Sequence, residues 1–150
     1  MLFRSPLPLR PGHGRGESPL AAGRSSWAAG QALAPAGREP LPVAIASDQA
    51  FHFRYPEVSE LLRALGLDPQ PWSPLADAPL PVGCRAVLLP GGYPELHAEQ
   101  LAASRRSLAE LAAAARAGLP IVAECGGLLL LGQRLQDPDG RPHEIGRAHV

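Results

Sequence analysis

The sequence predicts an α/β protein, a parallel sheet with helices on both faces in three layers. Three observations predict it. From residue 42 onward, short apolar runs alternate with stretches of helical period, the pattern of parallel strands joined by helical crossovers. The first of these runs, VAIAS at 43–47, is apolar throughout, as a strand buried on both faces is. Two later runs lead straight into glycine pairs, Gly91-Gly92 and Gly126-Gly127. Both pairs fall at the carboxyl edge of the sheet, where open α/β folds gather their ligands.

The elements follow in order. After the strand at 43–47, Pro56 opens a helix in which Val58, Leu61, Leu62 and Leu65 form one apolar face, and Gly66 stops it. Residues 70–73 are read as a short second strand despite their proline. Residues 85–89 form a third, running into Pro90-Gly91-Gly92. A helical region from 95 to 117, broken near Ser104, buries Leu101, Leu108, Leu111 and Ala115 and ends at Gly118 and Pro120. Residues 120–123 make a fourth strand. Leu128 to Leu131, apolar on every side, is expected to be a buried helix. The stretch 136–142 reads as a turn with no further strand after it.

Composition bounds the function. The 150 residues are 45% hydrophobic and 19% charged with zero formal net charge, which disfavours a general polyanion binder and so nucleic acid. No apolar run approaches the roughly 20 residues that span a bilayer, and no signal peptide is evident, so no membrane partner is expected. All fourteen basic residues are Arg, and Lys, Asn and Thr are absent, which points to a GC-rich gene. Two cysteines are too few for a disulfide scaffold or a structural zinc site, so a reduced, cytoplasmic protein is expected. Residues 1–42 hold seven Pro and six Gly without sustained period and read as a linker or disordered segment. Their Gly12-His13-Gly14-Arg15-Gly16 lacks the flanking strand, helix and lysine of a phosphate loop.

Cys125 carries the chemistry. It stands between a strand and a helix, with Ala123 before it and Gly127 after it. A sharp strand-to-helix turn around a nucleophile needs such small flanks. The helix N-terminus favours the thiolate and offers backbone N–H groups, among them that of Gly126, to a developing oxyanion. Gly91-Gly92, after a neighbouring strand, frees the backbone to aim a second N–H at the same point. The competing readings are a buried, apolar cysteine and an ordinary strand-to-helix turn. Glu124 and the two glycines weigh against packing alone. Cys84, without a partner ligand, reads as a structural thiol, and Arg105-Arg106 as a solvated helix face.

Taken together, AECGGLLLLG, LPGGYPELHAEQL and AIASDQAFHFRYPEVSELL resemble the glutamine amidotransferase domain of the cobyrinate (hydrogenobyrinate) a,c-diamide synthase family. The resemblance covers residues 43–143. It departs at Val58, where the family has Asn. It implies a flavodoxin-like class I glutamine amidotransferase fold, incomplete at its C-terminus. It also implies roles for named residues. Cys125 attacks the amide carbon of glutamine, and the N–H groups of Gly92 and Gly126 hold the oxyanion. Ammonia leaves, and water hydrolyses the thioester. A separate domain uses ATP and Mg²⁺ to activate the a and c carboxylates of the corrin precursor for amidation, a step of cobalamin biosynthesis. No metal or cofactor is expected to bind this chain itself.

The same resemblance places the catalytic His in a later Glu-Phe-His-Tyr type segment. None of His52, His97, His143 and His149 is assigned as the base; His52 is read at most as lining the site. The chain alone is therefore expected to be inactive. Residues 144–150 (EIGRAHV) and 2–5 (LFRS) match translations of common sequencing-library adapters, so both ends are expected to be adapter read-through on an internal fragment. Two alternatives stay open on the residues: another cysteine hydrolase of the same fold, and a non-catalytic flavodoxin-like binding module.

Overall fold

A computed structural model describes residues 37–146. The glycine-rich stretch at 12–16, residues 2–5, His149 and most of the expected linker lie outside the described residues. In chain order the elements are β1 (Leu41–Ala46), α1 (Pro56–Ala64), β2 (Leu67–Trp72), β3 (Ala86–Leu89), a 3-10 turn (Pro94–His97), α2 (Ala98–Ala103), α3 (Arg105–Arg116), β4 (Ile121–Ala123), α4 (Gly126–Leu129), β5 (Arg134–Gln136) and β6 (Pro142–Glu144). Strands β1 to β4 form one parallel sheet in the order β2-β1-β3-β4. The chain thus moves to one flank through α1 and to the other through α2 and α3. Right-handed crossovers in opposite directions place those helices on opposite faces. The expected α/β architecture is present.

The main core lies on the α2–α3 face. Ala44, Ala46, Val87 and Leu89 from the strands meet Leu101 and Leu111 from the helices. The expected break in the helical region falls at Ser104, whose hydroxyl donates to the Gln100 carbonyl at 2.9 Å. The connection from β2 to β3 is tied to α3. The Ser107 N–H donates to Asp77 Oδ1 at 2.8 Å, and the hydroxyl of Ser107 and the indole N–H of Trp72 both donate to the Ala78 carbonyl.

The opposite face is covered unevenly. Ile45, Leu88 and Val122 lie in register across β1, β3 and β4. Ile45 is 1% exposed, whereas Val122 is 60% exposed. No residue of α1 is fully buried, so its predicted apolar face is only partly covered.

Three expectations need correction. β2 begins at Leu67, earlier than the predicted 70, and runs through two prolines. The Trp72 carbonyl accepts from Ser47 N–H and the Gly66 carbonyl from Leu41 N–H, so the even-numbered residues face β1. Pro69 and Pro71 then turn their missing donors to the open edge, where no ladder bond is lost. The run 128–131 is not a buried helix. α4 is one turn, Leu128 and Leu129 are 59% and 46% exposed, and only Leu130 of that run is fully buried, because nothing among the described residues packs over the outer side of this turn. A strand does follow the turn at 136–142: β5 and β6 pair antiparallel. Asp137 builds that turn by accepting the N–H groups of Asp139 and Arg141, and Gly140 supplies a positive φ. Glu144 closes β6 and ion-pairs with Arg134, and Ile145 beyond it is buried.

Candidate active site

The site forms at the carboxyl ends of β1, β3 and β4. β4 delivers the chain to Cys125, which adopts φ 49° and ψ −124° before α4 begins. Side chains rarely tolerate this region, and backbone strain of order 1–3 kcal/mol is typical there. The turn leaves the Cys125 thiol exposed, whereas Gly126 and Gly127 after it are buried. A Cβ on Gly127 would overlap the Leu89 carbonyl, and one on Gly126 would overlap the Gly92 carbonyl and stand 2.8 Å from Pro94 Cδ. The small residues after the cysteine are thus a steric requirement of the turn.

β3 delivers the second wall. Gly91 packs against both Cys125 and Phe53: a Cβ there would stand 3.3 Å from the Cβ of each. Gly92 rests on the Ala50 carbonyl, with no room for a side chain. The structure therefore brings Cys125, Gly92 and Gly126 together, through Gly91 and through the contact of Gly126 with the Gly92 carbonyl. The N–H of Gly92 has no acceptor among the described residues. α4 is a single turn, so what its N-terminus brings to the thiol is nearby N–H groups rather than the dipole of a long helix.

The loop after β1 supplies the third wall. Asp48 anchors it. Its Oδ1 accepts from Ala50 N–H at 3.0 Å, and its Oδ2 accepts from the Ser73 hydroxyl at 2.9 Å and from Leu75 N–H at 3.0 Å. Phe53 N–H donates to the Gly91 carbonyl at 3.0 Å. The rings of His52, Phe53 and Tyr93 cluster at the rim, with centroids 4.6 Å and 4.9 Å from that of Phe53. His52 Nδ1 is bound to the Gln49 carbonyl. Beside the elbow a cavity of about 240 Å³ opens on the unevenly covered sheet face, lined by Ile45, Phe53, Tyr55, Leu88, Val122 and Glu124 among others.

Other titratable groups have other partners. His143 Nε2 donates to Asp137 Oδ2 at 3.0 Å, which, with the Arg141 N–H next, holds the Asp137 carboxyl below its usual 3.8. Glu95 sits in the first turn of the 3-10 segment, as an N-terminal helix charge would. Cys84 Sγ donates to the Ala86 carbonyl. Among the described residues, no histidine is hydrogen-bonded to Cys125, and no group of three His, Cys, Asp or Glu side chains is placed to hold a metal ion. No helix among them is long and apolar enough to cross a membrane. Sequence reasoning missed Asp48 as a part of the site. The Asp-x-Ala spacing of a local side-chain turn was the signal available for Asp48.

Comparison with known proteins bears on this geometry. The profile of the CobB/CobQ-like glutamine amidotransferase domain matches residues 42–150. The chain is 47% identical over 111 residues to the cobyrinate a,c-diamide synthase of Gloeobacter violaceus, covering 71% of this chain and 24% of that protein. It is 46% identical to the cobyrinate a,c-diamide synthase of Salmonella typhimurium, over 70% of this chain and 23% of the relative. It is 44% identical to the hydrogenobyrinate a,c-diamide synthase of Thermobifida fusca, over 78% and 26%. The chain thus spans about a quarter of the length of the curated relatives it matches. No solved structure matches. With the family profile matching most of its residues, the chain belongs to the CobB/CobQ-like glutamine amidotransferase family.

Proposed function

We propose that this chain is the glutaminase part of a cobyrinate or hydrogenobyrinate a,c-diamide synthase, with residues 43–143 as its amidotransferase region and 1–42 as a linker. Cys125 Sγ attacks the side-chain amide carbon of glutamine, and the π pair moves to oxygen. The N–H groups of Gly92 and Gly126 hold that oxyanion. Its collapse expels ammonia and leaves a γ-glutamyl thioester, which water hydrolyses to glutamate with release of the thiol. Among the described residues no histidine is hydrogen-bonded to Cys125, and we place the base that takes the thiol proton and returns one to the leaving amine on a later segment of the synthase. The described residues offer no donor set for Mg²⁺. We place ATP and Mg²⁺, which activate the corrin a and c carboxylates, on another part of the synthase, and the whole protein in the cytoplasm.

The observation that carries the reading is the backbone of Cys125: an exposed thiol held at positive φ, with Gly126 packed on the Gly92 carbonyl. The test is Cys125→Ser in the full-length synthase. Glutamine-dependent amidation is expected to fall by at least about 10³-fold, as loss of a covalent nucleophile does. Amidation driven by added ammonium salt is expected to persist. Glutamine-dependent turnover that survives the substitution would overturn the reading.

A further inference from the structure

One backbone hydrogen bond fixes how the Gly91–Gly92 peptide faces. The Gly91 carbonyl accepts from Phe53 N–H at 3.0 Å, and the two residues form an isolated antiparallel bridge. In a trans peptide the carbonyl and the following N–H point in opposite directions. The Gly92 N–H therefore faces away from Phe53, and it has no acceptor among the described residues. If the Phe53 contact is lost, that peptide is free to turn its carbonyl toward the space the N–H now addresses. An oxyanion would then meet a lone pair instead of a donor.

Whether Phe53 stays in place depends on the loop that carries it, and that loop has one charged anchor. Asp48 binds it locally through Ala50 N–H and remotely through the Ser73 hydroxyl and Leu75 N–H, just beyond the end of β2. The Ala50 carbonyl, next to the first of these bonds, is the surface on which Gly92 rests. Displacing the loop would thus remove the support of Gly92 and the lock on Gly91 together. Nothing in this arrangement touches Cys125 through Asp48 itself.

We propose that Asp48 is a positioning residue for the glutaminase: it holds loop 48–53 so that the Gly91–Gly92 peptide presents its N–H to the oxyanion. The proposal rests on the oxyanion role given to Gly92 above. It predicts a defect in turnover rather than in substrate binding or thiol chemistry.

The test compares Asp48→Ala, Ser73→Ala and Cys125→Ser in the full-length synthase, following glutamate release from glutamine. Asp48→Ala is expected to lower kcat about 10- to 100-fold, short of the loss of a complete oxyanion donor, with KM for glutamine changed less than about twofold. Alkylation of Cys125 by iodoacetamide, which uses no oxyanion donor, is expected to keep its rate. Ser73→Ala, which removes one of the three bonds, is expected to lower kcat about threefold, in keeping with one hydrogen bond. Wild-type kcat in both Asp48→Ala and Ser73→Ala overturns the positioning role, as does a raised KM at unchanged kcat. If Asp48→Ala does not fold, Ser73→Ala decides: an unchanged kcat there overturns the proposal. Persistent turnover in Cys125→Ser would instead overturn the underlying glutaminase reading.

Discussion

Gly126 packs so closely on Gly92 that a single methyl group between them would overlap the Gly92 carbonyl oxygen. The two turns that bracket the nucleophile are therefore one steric unit, although 33 residues of chain separate them. β3 and β4 are paired from Val87↔Ile121 to Leu89↔Ala123, which sets the two turns side by side before any chemistry is asked of them.

Gly126→Ala tests that unit. Backbone must move on both sides, and overpacking of this kind costs about 1–3 kcal/mol. Thermal denaturation is expected to show a lower Tm, and glutamine hydrolysis in the full-length synthase to fall at least about tenfold, since a 1 Å displacement at a catalytic centre is enough to do so. A variant with the parent's Tm and turnover would contradict the packing.

Cys125→Gly tests the strain. Glycine accepts φ 49° and ψ −124° freely, relieving about 1–3 kcal/mol, while its extra freedom in the unfolded chain costs about 0.5–1 kcal/mol. The variant is expected to be more stable by about 1 kcal/mol on this balance, a Tm rise of a few degrees, and to have no glutaminase activity. A lower Tm than that of Cys125→Ala would argue that the cysteine sits there without strain.

The Asp137–His143 pair sets a pH dependence. The carboxyl of Asp137 is held below 3.8, first by the hydrogen bond from His143 and then by the Arg141 N–H. A carboxylate favoured in the folded state stabilises it above that value, and the contribution is lost as pH falls through the depressed pKa. Carboxyl NMR titration is expected to place Asp137 below 3.8, and His143→Ala to move it upward. Amide protection factors in the β5–β6 hairpin, taken against the intrinsic exchange rate at each pH, are expected to fall as pH drops through the depressed pKa. Titration of Asp137 at or above 3.8 would remove the basis for this dependence.

Leu111→Ala probes the main core. Leu111 is fully buried between α3 and the sheet, and truncation of such a side chain costs about 2–5 kcal/mol. Chemical denaturation should show a midpoint shifted accordingly. A change under about 0.5 kcal/mol would be the size expected of a surface position instead.

What the sequence disclosed and what it hid follow from the range of the forces involved. The crossover pattern was legible because strand and helix periods are local. The break at Ser104 was legible for the same reason. The small residues around Cys125 could be noted as a local pattern, but the contacts that require them, Gly126 on Gly92 and Gly92 on Ala50, come from distant segments. The start of β2 was not, because Leu67-Asp68-Pro69 has no strand preference of its own and is recruited by pairing with Leu41-Pro42-Val43. The leucines at 128–131 mislead because hydrophobicity records a preference for burial, while burial also needs a partner surface. The β6 strand was hidden in the turn chemistry of Asp137. For Asp48 only the local bond to Ala50 left a trace in the sequence, since Ser73 and Leu75 lie 25 and 27 residues away.

The prolines of β2 have one more consequence. With Pro69 and Pro71 turned outward, that flank keeps its carbonyl acceptors but lacks two successive donors, so a further strand in register would forgo those ladder bonds. Growth of the sheet is therefore favoured on the other side. A strand added to it, whether from the same polypeptide during folding or from a second molecule during aggregation, pairs more fully beside β4, on the flank nearest the cysteine.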